Sequence, residues 1–272
     1  MASETQSGVA LTRRGVLALG LSAAVVHARS GAHAQSGAVA PDRFEKLVAA
    51  YPDHLRAIEG GQLLWRDGFA QKLDDGVTGK TFEQMLRNAS VADQLRQVYA
   101  PGKPTAQPAF EFSPGRIRNE VFFAKMYGDC RRNEVVAKMK TIVFMPRTKP
   151  QKLQITGVND VAGRLGRVID ELERLPDHLK AWLVPSSGTY NCRVVADTGK
   201  PSMHASGAAI DINSKNTDYW VWAGKKAGGP IPYKNRIPFE IVEIFEAEKF
   251  IWGGKWYHYD TMHFEYRPEC FA

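Results

Sequence analysis

Apolar positions in this chain recur in short runs separated by turn-rich connections. DRFEKLVAAY (42–51) places Phe44, Leu47 and Val48 on one face and predicts a short helix. LRAIEGGQLLWRDGFAQKLDDG (55–76) sets Gly60-Gly61 and Asp67-Gly68 between apolar runs, the punctuation of one or two hairpins. From 81 to 99, Phe82, Met85, Leu86, Val91, Leu95 and Val98 follow helical spacing and predict one amphipathic helix. PGKPTAQPAFEFSPG (101–115) is a Pro-rich connection, read as the join between an N-terminal accessory region (35–115) and a C-terminal domain (116–272). Within the latter, 132–140 predicts a helix and KTIVFM (140–145) a strand. Residues 160–175 predict a helix carrying Val161, Leu165, Val168, Ile169 and Leu172, and KAWLVPSSG (180–188) a strand ending in a turn. AAIDIN (208–213), FIWGG (250–254) and HFEY (263–266) read as strands, and 238–249 as a helix with Ile241, Val242, Ile244 and Phe245. No internal repeat is visible. The class expected is α+β, with helices packed on a small, mainly antiparallel sheet.

The first residues change the picture of where the chain works. Paired Arg13 and Arg14 precede an apolar run over 15–26, and Ala32-His33-Ala34 follows. This reads as a leader of twin-arginine type, residues 1–34, cleaved after Ala34. An ordinary secretory signal and an uncleaved anchor are the alternatives. The run is too short for a permanent span, and no other long apolar stretch follows. A bacterial periplasmic or secreted protein, monomeric and without a membrane span after leader removal, is expected. Residues 35–42 read as a flexible link. The full chain carries +7, which falls to about +5 without the leader. That mild balance suits an anionic wall polymer but is ordinary, and no basic-aromatic cluster points to nucleic acid. Three cysteines, Cys130, Cys192 and Cys270, in an oxidising compartment imply one bridge and one leftover thiol. No C-x-x-C pair supports metal binding by them.

Candidate chemistry lies in SMHASGAAIDIN (202–213) and WYHYDTMHFEY (256–266). His204 ends a polar stretch, Gly207 permits a bend, and a strand then carries Asp211; this path brings residues seven apart toward one point. His263 opens another strand-like stretch, three residues after Asp260. Two imidazoles and a carboxylate form a zinc set that leaves a position for water, and a second carboxylate can take that water's proton. The helical H-E-x-x-H arrangement is absent, so strands and turns must supply the ligands. Singly, each residue is unremarkable: a His beside aromatics is commonly a core residue, and an Asp after an apolar run a turn or cap. The combination carries the signal.

These motifs resemble the zinc D-alanyl-D-alanine carboxypeptidase family, which includes the vancomycin-resistance carboxypeptidases and the L-alanyl-D-glutamate peptidases of phage lysins. The pattern S-x-H-x-x-G-x-A-x-D is matched by Ser202, His204, Gly207, Ala209 and Asp211. The later pattern, an acid three before a ligand His followed by Phe, is matched by Asp260, His263 and Phe264. The motif-bearing resemblance covers roughly 180–267 and, more loosely through GDCRRNEV (128–135), reaches 116. It implies Zn2+ on His204, Asp211 and His263, with Asp260 as general base. Asp at 260, where many carboxypeptidase members have Glu, is similar to the lysin branch. The resemblance also implies an arginine upstream, here Arg193, for the substrate carboxylate or an oxyanion; a surface salt bridge is the plainer alternative. Ser202 either binds substrate or closes the turn. Trp256, Tyr257 and His258 are expected to line the cleft, with core packing as the plainer alternative and, for His258, a role as proton donor or as support behind the ligands. Cys130–Cys192 is the expected disulfide, from compartment, the position of Cys192 beside Arg193, and family similarity. It leaves Cys270 free near a frayed terminus. The function implied is a secreted zinc metallopeptidase cleaving peptidoglycan stem peptides as a D-Ala-D-Ala carboxypeptidase. An L-Ala-D-Glu-type endopeptidase is a second possibility. A non-catalytic zinc-containing wall-binding module is a third, since hedgehog signalling domains share the fold and keep zinc.

Overall fold

The computed structural model describes residues 39–195, 198–224 and 231–271, so the leader assigned to 1–34 lies outside the described residues. Helix α1 (Pro41–Ala50) opens on a proline, whose missing N–H is not needed in a first turn, and buries Leu47 and Arg43. Arg43 donates to the carbonyls of Phe271 and Glu269, both at 2.8 Å, and so clamps the end of the chain. Strands β1 (Leu55–Glu59), β2 (Gln62–Trp65) and β3 (Ala70–Lys72) form the expected pair of hairpins as one antiparallel sheet. Gly60 and Gly61 both take positive φ at the first turn, a conformation that favours glycine.

The single helix expected over 81–99 is instead two short ones, α2 (Phe82–Arg87) and α3 (Val91–Gln94). Capping decides this. Thr81 closes a box with Gln84, and Ser90 closes another with Asp93, so Ser90 starts a helix rather than continuing one. Residues 101–115 carry no named helix or strand. Helix α4 (Glu120–Tyr127) was not foreseen; Asn119 caps it by accepting from the Phe122 N–H at 2.8 Å, and Phe122, Phe123, Met126 and Tyr127 are buried. The helix expected over 132–140 does not form. Two 3-10 turns, Cys130–Arg132 and Val136–Lys138, take its place, and Asn133 at φ 62 breaks any continuous helix.

Strand β4 (Met139–Phe144) appears as expected, paired antiparallel with an unforeseen β5 (Gln151–Thr156). Helix α5 (Val161–Leu172) buries the five apolar residues its spacing predicts. The strand expected over 180–188 is absent. Helix α6 (Asp177–Lys180) and turns replace it, and the Gly188–Asp211 bridge is isolated. Side chains satisfy the backbone there: Asn213 donates to the carbonyls of Ala181 at 3.0 Å and Val184 at 2.7 Å. Pro185 has no N–H to give a ladder.

The last sheet contains β6 (Ala209–Asp211), β7 (Phe250–Trp252) and β8 (His263–Tyr266), with helix α7 (Phe239–Ala247) between β6 and β7. Its order is β6-β8-β7, all antiparallel. The α+β architecture is as expected, with the strands divided among three small sheets. One apolar cluster runs from Leu47 on α1 through α5 and α7 to Phe271. Cys270, expected near a frayed end, is buried: Arg43 and the Tyr99–Phe271 bridge hold the last turn. No helix among the described residues is long and apolar enough to cross a membrane.

Candidate metal centre

Register brings the candidate ligands together. His204 lies in a 3-10 turn, Met203–Ser206, whose start is capped by Ser202 Oγ accepting from the His204 N–H at 3.3 Å. Gly207 ends the turn at φ 64, a left-handed conformation that favours glycine. The chain then enters β6, and Asp211 pairs directly opposite His263 on β8. His204 Nε2 lies 3.1 Å from His263 Nδ1 and 3.1 Å from Asp211 Oδ1; His263 Nδ1 lies 2.9 Å from Asp211 Oδ1.

Hydrogen bonds on the far side of each ring fix what these atoms offer. His204 Nδ1 contacts the carbonyl of Thr189, which only accepts, so Nδ1 carries the hydrogen. His263 Nε2 lies 2.9 Å from Glu265 Oε2 and likewise donates. Nε2 of His204 and Nδ1 of His263 are therefore left to present lone pairs toward a carboxylate oxygen. Three such atoms at about 3 Å repel unless a positive centre joins them. Tetrahedral zinc with ligands at 2.0–2.1 Å would space them by roughly 3.3 Å. The donor set fits zinc in type, tautomer and spacing.

Electrostatics agree. Burial alone would lower the His263 pKa, but hydrogen bonds to Asp211 and Glu265 push it up to about 10. A proton stands in for the cation. Burial would raise the Asp211 pKa, but the charge of His204 and hydrogen bonds from both imidazoles hold it well below the usual carboxylate range. Asp260 behaves differently. Burial first, then the Asp211 charge, push it up to about 6, with His263, His204 and Arg116 only partly opposing. Its Oδ1 is sealed from solvent without a hydrogen-bond partner.

The cleft in front of the ligands is lined by Arg116, Arg193, Trp220, Trp256 and His258 together with Asp260. Arg193 is exposed; its carbonyl accepts from the Ser202 N–H at 3.2 Å, next to the His204 turn. The neighbouring Cys192 is bonded to Cys130. The Trp256 ring stands 5.6 Å from that of His263. His258 stacks on Phe82 at 5.8 Å and meets Trp220 edge-on at 4.9 Å. Ser202 also lines the cleft, though its hydroxyl closes the turn.

Glu265, Thr189, Arg116 and Arg118 were not foreseen. Glu265 was available to sequence reasoning, because a residue two after a ligand His on a strand shares its face. Thr189 acts through a carbonyl, which no side-chain pattern reveals.

A family model described as D-alanyl-D-alanine carboxypeptidase matches residues 196–266. That stretch holds His204, Asp211, His263 and Asp260, and it supports the resemblance to zinc peptidases of this type. No curated protein and no solved structure matches the chain.

Proposed function

We propose that this protein is an exported zinc metallopeptidase that shortens peptidoglycan stem peptides, in the manner of a D-Ala-D-Ala carboxypeptidase. The observation that carries the reading is the meeting of His204, Asp211 and His263 beside a carboxyl oxygen of Asp260 that has no partner. A purely structural zinc site would close the fourth position with protein; among the described residues the group has three members.

Zinc, when bound, supplies Lewis acidity that acidifies water and polarises a carbonyl. Asp260 takes the proton of the attacking water at its carboxylate and returns it to the leaving amine. Its burial makes it a stronger base than an exposed aspartate. Arg193 approaches from the His204 side and meets negative charge as it develops on the scissile carbonyl oxygen. Trp220 and Trp256 wall the cleft and limit water. Glu265 and the Thr189 carbonyl keep both imidazoles turned toward Asp211.

Asp260→Asn should retain zinc and lose about 10²–10⁴ in rate. Mass spectrometry of wall fragments reads the loss, and release of a terminal D-Ala distinguishes a carboxypeptidase from an endopeptidase. Wild-type turnover in this variant, or loss of its zinc, would remove Asp260 from the role. Export is supported by the Arg13-Arg14 leader pattern and suits the Cys130–Cys192 bridge. N-terminal sequencing of exported protein should begin at Gln35; a chain still starting at Met1 would make it an anchored enzyme.

A further inference from the structure

Asp260 Oδ1 is buried and meets no hydrogen-bond donor, so the aim of this carboxylate falls to the backbone that carries it. That backbone is gripped from two sides. On one side the Asp260 N–H donates to the Gly253 carbonyl at 3.0 Å. A Cβ on Gly253 would lie 2.5 Å from the Asp260 carbonyl oxygen, a main-chain atom that has nowhere to swing, so glycine is what permits this approach. The same Asp260 carbonyl accepts from the His263 N–H at 3.2 Å.

On the other side runs the segment 218–220. Tyr219 and Asp260 form an isolated antiparallel bridge. The Trp220 N–H donates to the Tyr259 carbonyl, and the Thr261 N–H to the Asp218 carbonyl, both at 2.9 Å. One rung with no strand around it has little to keep its register, and a side chain supplies what a longer ladder would. Asp260 and Met262 line the cleft, whereas Thr261 between them is fully buried. Its Oγ1 accepts from the Asp218 N–H at 2.7 Å and donates to the Asp218 carbonyl at 3.0 Å, using both capacities of a hydroxyl on one partner. The Asp218 carboxylate is braced in turn by Arg236, with Nε 3.0 Å from Oδ2 and Nη2 3.4 Å from Oδ1, and Nη2 also donates to the Thr217 carbonyl at 2.9 Å. Trp252 Nε1 holds the Thr261 carbonyl at 2.9 Å.

We propose that Thr261 is a positioning residue for the cleavage reaction: its hydroxyl locks Asp218 onto the rung beside Asp260 and so holds the Asp260 carboxylate where the proton must be taken. This rests on the reading of Asp260 as general base. A reacting group displaced by about 1 Å can cost about 10²-fold in rate. The ligands have other supports, since the β6–β8 pairing, the Thr189 carbonyl and Glu265 place them.

Thr261→Val keeps the shape and removes both hydroxyl bonds. In the zinc-loaded protein acting on a soluble stem peptide, kcat should fall about 10- to 100-fold while KM stays within about threefold. Zinc affinity, read by competition with a chelator, should be unchanged. Amide exchange, followed without substrate, should quicken at Trp220 and Thr261 but not along β6 and β8. Thr261→Ser, which keeps the hydroxyl, should restore both rate and protection. In an Asp260→Asn background Thr261→Val should add little further loss, because both changes act through one carboxylate. Arg236→Gln alters an exposed side chain and decides the matter should Thr261→Val not fold; it should lower kcat and loosen the same amides to a smaller degree. Wild-type kcat in Thr261→Val or, should that variant not fold, in Arg236→Gln would overturn the proposal. So would a loss that lies in KM, lost zinc, no restoration by serine, or full additivity with Asp260→Asn. Wild-type turnover in Asp260→Asn alone would instead sink the general-base reading.

Discussion

Glu265→Gln isolates the group that orients His263. Glu265 is fully buried. Oε2 accepts from His263 Nε2 at 2.9 Å and lies 3.2 Å from Arg118 Nη1, while Oε1 accepts from Arg267 Nη1 at 2.8 Å. Burial would raise its pKa, but Arg118, the His263 hydrogen bond and Arg267 bring it down to about 2, from an ordinary 4.5. Each tenfold in acidity is worth about 1.4 kcal/mol, so this environment favours the carboxylate by about 3 kcal/mol. That stability is present above the ordinary carboxylate pKa and is lost as pH falls through about 2. The figure matches the roughly 3–5 kcal/mol lost when a buried ion pair is broken.

Glutamine keeps the shape but has one acceptor oxygen and an NH2. One face then meets a donor with a donor, either at His263 or at Arg267. Metal-free Glu265→Gln should lose about 3 kcal/mol in urea unfolding, the low end because Arg267 keeps Glu269 at 2.6 Å. Zinc affinity, read by competition with a chromophoric chelator, should fall about 10- to 100-fold, or roughly 1.4–2.7 kcal/mol. Glu269→Gln is the control. It disturbs the same network through Arg267 and Tyr51 but does not touch His263. It should cost stability and leave zinc affinity alone. Unchanged zinc affinity in Glu265→Gln, or an equal loss in Glu269→Gln, would refute the orienting role.

Zinc uptake at pH 7–8 should release about one proton, since metal-free His263 keeps its proton up to about 10; calorimetry in buffers of different ionisation enthalpy reads this. The His263 contribution to the metal-free fold is complete below the ordinary imidazole pKa and lost as pH rises through about 10, so metal-free stability should decline over that window. Cleavage should fall as pH drops below about 6, where Asp260 holds its proton, with a bound cation moving this limb lower; a pH–rate profile checks it. Replacing Cys130 and Cys192 by serine removes a link across 62 residues and should cost about 2–4 kcal/mol in urea unfolding. Cys270, with its thiol pushed up to about 12 by burial, should resist thiol reagents until the protein unfolds.

Where local pattern and tertiary demand agree, the sequence is readable. Helices α1, α5 and α7 follow their apolar spacing because one face meets the core. The long helix read over 81–99 fails because periodicity does not register a new cap, and Ser90 provides one. The segment 180–188 looks like a strand from its apolar run, yet Asn213, far along the chain, supplies the hydrogen bonds a neighbouring strand would have given. The ligand set is legible because strand pairing needs only the two motifs. What lies behind the ligands is less so. Thr189 contributes a backbone atom, and Arg116 reaches the cleft from just after the Pro-rich segment, where no periodicity marks it.

That division bears on how the cleft is assembled. The matched stretch, 196–266, contains the three ligands and Asp260, the parts needed to hold a cation and move a proton. Every cleft arginine lies outside it: Arg193 just before, and Arg116 and Arg118 some eighty residues upstream. Residues further upstream pack behind the same cleft. Gln97 anchors the Ser113 N–H, and Phe82 on α2 backs His258 at the rim. The cleft's arginines and the ligand set thus lie in different parts of the chain, while its aromatic walls share the ligands' stretch. Zinc affinity should tolerate changes around Gln97 and Phe82 that peptide binding does not, because those residues support Ser113 and His258 and not the ligands.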